Sequence, residues 1–146
     1  MMADELTVGY SGTPLAKKLG LADGQRVLFL DLPEHLAELA AARVFAAVER
    51  AGWDALAAAR DFDLLHGFTP SRAALTAAAA HLRDAIKPDG TIWISWPKRA
   101  SGVATDLTED VLRELVLPMG LVDVKVAAVD EVWSGLKFVV RRELRR

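Results

Sequence analysis

The chain has 146 residues, a length that fits one domain and leaves little room for a second. Apolar residues make up 52% of it, which excludes a disordered protein. The 18 basic and 20 acidic side chains leave a formal charge of −2, so neither a general nucleic-acid binder nor a membrane-surface protein is indicated. The chain has no cysteine, which excludes disulfides, thiolate zinc sites and cysteine nucleophiles.

The first residues carry Asp4 and Glu5 instead of the apolar region of a signal peptide. No apolar run reaches the roughly 20 residues of a membrane span. We therefore expect a cytoplasmic protein without a membrane partner.

The first half of the chain predicts helices alternating with a strand. Thr13 as N-cap and Pro14 at the first helical position predict a short helix over Leu15–Leu19. Arg26–Leu32 is nearly all apolar, as expected for a central parallel strand covered on both faces. Alanine-rich Glu34–Ala51 carries an apolar stripe at helical spacing, which predicts a helix.

The middle of the chain continues this alternation. The spacing in Trp53–Arg60 allows a strand, whereas its alanines favour a helix, and the preference is for the helix. Phe62–Phe68 predicts a second buried strand, and the segment Thr69-Pro70-Ser71 caps a helix that runs to about Ile86. After a tight turn, Thr91–Trp96 predicts a third strand.

The last third predicts a loop over Pro97–Thr105, a helix that Thr108 begins, and a pair of strands. The strands cover Val122–Val129 and Trp133–Arg141, and their short link makes them antiparallel. Helices between the earlier strands imply parallel pairing through right-handed crossovers. The prediction is one α/β domain over residues 1–146, three-layered and Rossmann-like, with a mostly parallel sheet and an antiparallel C-terminal strand pair.

Two stretches resemble class I methyltransferases: FDLLH at 62–66, and IKPDGTIWIS at 86–95. They are similar to that fold's fourth and fifth strand units, and the helix and antiparallel strand pair that follow also match. The resemblance fails after the first strand, where the family has an acid and a glycine-rich turn that approaches the cofactor. Here Phe29 takes the place of the acid, and Asp31, Leu32 and Pro33 replace the glycines. We therefore predict no cofactor and disfavour S-adenosylmethionine.

Three further stretches resemble an uncharacterised family of small bacterial proteins. They are GYSGTPLAKKLG at 9–20, SWPKRASGVATDLTED at 95–110, and GLVDVKVAAVDEVWSGLKFV at 120–139. This resemblance spans most of the chain and implies no activity.

Ligands of open α/β sheets bind beyond the carboxyl ends of the strands, so polar groups in those loops are site candidates. Lys98 and Arg99 could bind an anion or could be solvated loop charges, and the second interpretation is favoured. The helix start at Ser71 and Arg72 also suits an anion, with ordinary capping as its default. The candidate ligand-binding residues are Tyr10, Ser11, Thr13, Asp31, Ser71, Arg72, Trp96, Lys98, Arg99, Ser101 and Trp133.

The aromatic residues and His66 can each be interpreted as part of the core or as part of a functional site. Trp96 and Trp133 could line a pocket with Tyr10, but core packing is favoured. Trp93 and Trp96 should face opposite sides of the sheet. His66 is expected to be a core histidine with a backbone partner. No histidine pair has metal-ligand spacing, so no metal is predicted.

The hypothesis favoured by the sequence is a non-catalytic binding or regulatory module on a degenerate methyltransferase-like scaffold. It would recognise a small anionic ligand or a protein partner. The alternative is an unusual S-adenosylmethionine- or nucleotide-using transferase with a displaced cofactor site. A structural subunit that pairs as a homodimer through the edge of the closing strands is the third candidate.

Overall fold

The computed structural model describes residues 14–145, so the candidates Tyr10, Ser11 and Thr13 lie outside the described part. The strands within it are β1 (Arg26–Leu30), β2 (Ala47–Ala51), β3 (Phe62–Phe68), β4 (Ile86–Pro97), β5 (Leu121–Ala128) and β6 (Trp133–Val140). The α-helices are α1 (Leu15–Lys18), α2 (Arg72–Ala85) and α3 (Glu109–Val116). The 3₁₀-helices are Glu34–Ala41, Trp53–Ala58, Arg99–Ser101, Leu117–Met119 and Arg142–Leu144.

The strands form one sheet in the order β2-β1-β3-β4-β6-β5. The first four are parallel, and β6 runs antiparallel to both β4 and β5. This confirms the predicted Rossmann-like class, including the antiparallel C-terminal pair. From β1 the chain first adds β2 on one side and then β3 on the other, so the strand order reverses between β1 and β3. That reversal is the topological switch point, where open α/β sheets commonly bind ligands.

The sheet buries apolar side chains on both faces. On one face, which we call the α2 face, Leu28 and Ile92 belong to the core packed under α2 and α3. On the other, the α1 face, Phe29 and Trp93 pack with α1 and the 3₁₀-helix after β1. Burial of both faces explains why the central strands read as continuous apolar runs.

The segment Glu34–Ala51 differs most from its prediction. It holds the 3₁₀-helix Glu34–Ala41 and then the edge strand β2 instead of one long α-helix. An edge strand has one neighbour and remains largely exposed, so β2 lacks the apolar run that identifies a central strand. Pairing with β1 outweighs the helix propensity of its alanines. The preference for helix in Trp53–Arg60 agrees with the 3₁₀-helix Trp53–Ala58.

Side-chain caps fix the starts of the two longer helices as predicted. Ser71 Oγ accepts a hydrogen bond from Ala74 N at 3.0 Å. Thr108 Oγ1 accepts one from Val111 N at 3.2 Å. The expected turn before β4 is instead part of that strand, since Ile86 already pairs with Phe62 ahead of a register shift. In residues 14–145, no helix has the length and apolar character needed to cross a membrane.

Candidate functional site

The candidate residues collect where parallel strands β1, β3 and β4 end. Asp31 follows β1, Ser71 and Arg72 come shortly after β3, and Lys98 follows β4. Because β6 is antiparallel to β4, it begins at this same edge with Trp133. We call this side of the sheet the carboxyl edge.

A cavity of about 480 Å³ opens at the end of β4. Trp96, Lys98 and Arg99 line it, together with the loop that leads to α3 and Ser134 of β6. Trp96 and Leu107 are the buried apolar part of the lining, whereas Arg99 is exposed. The volume lies within the range of small-molecule sites, roughly 300–1,000 Å³.

Ser101 shapes the cavity loop without lining the cavity. Its hydroxyl donates to Lys98 O at 2.7 Å and accepts from Val103 N at 3.1 Å. The turn then closes through Gly102, whose φ of +79° suits glycine. Ser101 is therefore placed to hold the loop that carries Lys98 and Arg99.

The cavity has an excess of positive charge. Within residues 14–145, no carboxylate lies within ion-pair distance of Lys98 or Arg99. Glu109 also lines the cavity, but its carboxylate pairs with the Arg113 guanidinium. The local field of the described residues therefore favours an anion beside Lys98 and Arg99.

Two lining residues of this cavity come from the start of α3, Thr108 and Glu109, and were not among the candidates. The sequence marks them only as a helix cap and a first-turn acid, which is how the structure also uses Thr108. Ser134 was missed as well, because its place beside Trp96 depends on the β4–β6 register. No local signal in the sequence fixes that register.

The start of α2 is occupied by the chain's own carboxylate. Asp106 Oδ1 accepts a hydrogen bond from Arg72 N at 2.7 Å. The neighbouring Thr105 hydroxyl donates to Pro70 O at 2.6 Å. The Arg72 guanidinium pairs with Glu114 at 2.8 Å. Ser71 and Arg72 thus serve capping and loop attachment here, and neither lines the cavity.

The switch point between β1 and β3 is filled on the α2 face by an indole. Trp53 lies against Gly67 so closely that a Cβ at that glycine would stand 2.4 Å from the indole Cη2. The indole Nε1 donates to Phe68 O at 2.9 Å. An adenosyl group seated on the end of β3 would have to displace Trp53.

The turn after β1 is equally unsuited to an anionic group. Asp31 has a φ of +53°, and its N donates to Ala51 O at 2.8 Å. Partial burial, and to a lesser extent the charge of Asp54, raise the pKa of the Asp31 carboxyl. The two carboxylates disfavour an anion here, and the indole of Trp53 takes the space that an adenosyl group would need in the usual position.

Trp96 and Trp133 do not share a pocket, so the alternative to the favoured core packing is wrong for this pair. In the β4–β6 register Trp96 pairs with Ser134, while Trp133 pairs with Pro97. Adjacent positions on a strand face opposite sides, so Trp133 lies on the α1 face. There its ring meets Phe68 edge-on, with centroids 5.3 Å apart. Trp93 and Trp96 face opposite sides of the sheet, as predicted.

His66 is a core residue on the α1 face. It is fully buried, and its ring stacks on Phe68 with centroids 4.2 Å apart. Its Nε2 lies 2.7 Å from Ser95 Oγ, so its partner is a side chain instead of the expected backbone group. Burial lowers the pKa of His66 to about 3, which keeps the ring neutral. Within the described part, no cluster of three or more potential metal ligands occurs.

No family model and no curated protein matches the sequence. Solved structures do match the fold. A SAM-dependent methyltransferase from Aquifex aeolicus superposes with a TM-score of 0.66 and 15% identity, covering 94% of this chain and 92% of its own. The chain has a methyltransferase-like fold.

Two further structures support this assignment. A TehB-like SAM-dependent methyltransferase from Corynebacterium glutamicum gives a TM-score of 0.61 at 12% identity, with 87% of this chain and 85% of the other covered. Magnesium protoporphyrin IX methyltransferase from Synechocystis, with bound SAH, gives a TM-score of 0.59 at 13% identity, with 82% of this chain and 75% of the other covered. At these identities the likeness establishes the fold alone.

Proposed function

We propose that this chain binds a small anionic ligand in the cavity at the end of β4. The observation that carries the proposal is a pair of cations, Lys98 and Arg99, that have no acidic partner among residues 14–145 and lie beside a partly apolar cavity. A hydrogen bond to a charged group contributes about 1.5–3 kcal/mol, so two such contacts support measurable binding. Trp96 and Leu107 add apolar surface for the uncharged part of the ligand.

A second candidate is group transfer by an enzyme that uses S-adenosylmethionine or a nucleotide at a displaced site. The fold comparisons favour this candidate over a module without catalysis, because the matching structures include several methyltransferases. Trp53 fills the switch point, so the donor would have to bind in the β4 cavity. In both candidates Lys98 and Arg99 bind the negatively charged group of the ligand.

Thermal unfolding in the presence of single ligands tests both candidates. The panel contains S-adenosylmethionine, S-adenosylhomocysteine, nucleotides, nicotinamide cofactors and inorganic phosphate. A ligand at 100 times its dissociation constant adds about 2.7 kcal/mol, a shift of several degrees. A shift with adenosyl compounds or nucleotides supports the transferase candidate, and a shift with phosphate alone supports anion binding.

Variants locate the binding site. The double change Lys98→Ala and Arg99→Ala should abolish the shift. Lys125→Ala with Lys137→Ala is the matched control, because it removes the same charge from a β5–β6 pair that does not line the cavity. If both double variants respond alike, the placement of the site is wrong. If no compound shifts the wild type, the small-ligand proposal fails and a protein partner or a homodimer becomes the better proposal.

A further inference from the structure

An exposed histidine and a largely covered carboxylate meet on the α1 face at the carboxyl edge. His35 lies in the 3₁₀-helix after β1, and Asp130 lies in the turn between β5 and β6. The distance from His35 Nε2 to Asp130 Oδ2 is 2.6 Å. The side chain of His35 is 57% exposed and that of Asp130 only 11%.

The surrounding backbone fixes the orientation of the carboxylate. Asp130 Oδ1 accepts hydrogen bonds from Val132 N at 2.8 Å and from Trp133 N at 2.7 Å. The other oxygen, Oδ2, is left to face His35. Because an ionised carboxylate only accepts hydrogen bonds, Nε2 of a neutral His35 must carry the hydrogen. The lone pair is then on Nδ1, and no hydrogen bond joins that atom to the described residues.

The contact reaches across the middle of the sheet. His35 follows β1, Asp130 precedes β6, and β3 and β4 lie between these strands. Three strand spacings amount to about 14 Å, so the two loops extend towards each other over the ends of β3 and β4. This is the edge at which ligands of α/β sheets bind.

We propose that His35 and Asp130 form a proton-accepting pair for a hydroxyl substrate. The inference rests on the transferase candidate above and requires the reactive carbon of the donor to reach from the β4 cavity over the end of β4 to the α1 face. The two places adjoin there, because Lys98 N at the cavity donates to Val132 O in the turn that carries Asp130. As the hydroxyl oxygen attacks the electrophilic carbon of an activated donor, its O–H bond breaks and the proton moves to Nδ1 of His35. The oxygen keeps the bonding pair and forms the new O–C bond, while the leaving group departs with its own pair. Asp130 stabilises the imidazolium and acts as a positioning residue.

Hydrolysis of p-nitrophenyl acetate tests the pair without knowledge of the natural substrate. The Nδ1 lone pair attacks the acyl carbon, p-nitrophenolate leaves with the bonding pair, and water then hydrolyses the acetyl–nitrogen bond to release acetate, so the rate reports whether that lone pair is available. His35→Gln should lower the protein-dependent initial rate at least about fivefold, since positioned bases accelerate such steps by far more. His81→Gln is the matched control: it removes an exposed histidine from α2 and should change the rate by less than about twofold.

Asp130→Asn separates the proposal from a purely structural tie. The asparagine Oδ1 still accepts from the two backbone N–H groups, but its Nδ2 donates towards His35 Nε2. The hydrogen on the imidazole should then move to Nδ1, which removes the lone pair from that atom. ¹⁵N–¹H correlation spectra of the ring should show the Nε2–H tautomer in the wild type and the Nδ1–H tautomer in the variant, with a rate loss like that of His35→Gln.

The outcomes are distinct. Equal rate losses in His35→Gln and His81→Gln would overturn the proposal. An Asp130→Asn variant that is less stable to urea but keeps the wild-type rate and tautomer would also overturn the proposal. That result would mean that the contact only stabilises the packing of the two loops. Neither measurement depends on binding in the β4 cavity, so a failure here leaves the ligand panel as a separate test of the proposed function.

Discussion

The buried histidine His66 makes stability depend on pH in a window that the structure defines. In the unfolded chain its pKa is about 6.5, and burial lowers the folded value to about 3. Below pH 6.5 the unfolded state therefore binds a proton at His66 that the folded state does not bind. The free energy of unfolding falls as the pH drops through this window, and the contribution of His66 to that fall ends near pH 3.

The magnitude follows from linkage. Between pH 7.5 and pH 5.0 the proton bound by the unfolded chain costs the folded state about 2 kcal/mol. His66→Gln removes the titrating ring while keeping an amide donor near Ser95 Oγ. The free energy of unfolding of the wild type should therefore fall by about 2 kcal/mol more than that of the variant over this interval.

Urea unfolding at the two pH values, followed by circular dichroism, measures this difference. Ser95→Ala is the control: it removes the hydroxyl partner but leaves the ring, so it should lose about 1 kcal/mol at both pH values and keep the wild-type pH dependence. Parallel pH profiles for the wild type and His66→Gln would show that the ring charges in the folded state, and the argument from burial would be refuted.

Three other substitutions test the carboxyl edge, each by urea unfolding. Trp53→Ala should cost about 3 kcal/mol because the indole fills the switch point, and a loss below about 1 kcal/mol would mean that the site collapses without it. Asp31→Asn should stabilise the protein at pH 7 but not at pH 3. The raised pKa of Asp31 means that the folded state disfavours the charged carboxylate, so a neutral amide is better tolerated at pH 7, and no gain in stability there would contradict this. Asp106→Ala should cost about 1 kcal/mol through the loss of its bond to Arg72 N, whereas Asp110→Ala, with a side chain that is 95% exposed, should cost less than half of that; equal losses would argue against the tie to α2.

Much of the scaffold could be predicted because its signals are local. β3 is an apolar run, Ser71 and Thr108 cap helices in place, and the short link before Trp133 predicts an antiparallel pair. Each of these features depends on residues close in sequence. The fold class follows from the order of such elements alone.

The features that failed or were missed depend on distant partners. β2 forms a strand because β1 pairs with it, and its own composition favours a helix. Trp96 and Trp133 separate because the β4–β6 register sends them to opposite faces. His35 and Asp130 are 95 residues apart and meet only after the sheet has assembled. A single sequence carries no direct record of such contacts.

The position of β6 between β4 and β5 has a consequence for the order in which the protein folds during synthesis. The ribosome releases β4 well before β6, yet β6 is the strand that covers the open edge of β4. Until Trp133–Val140 has emerged, that edge exposes unpaired backbone groups of the central, apolar part of the sheet. At about 5–20 residues per second the edge stays open for a few seconds in each newly made chain. Nascent chains halted in α3 should therefore be more prone to aggregate than the finished protein.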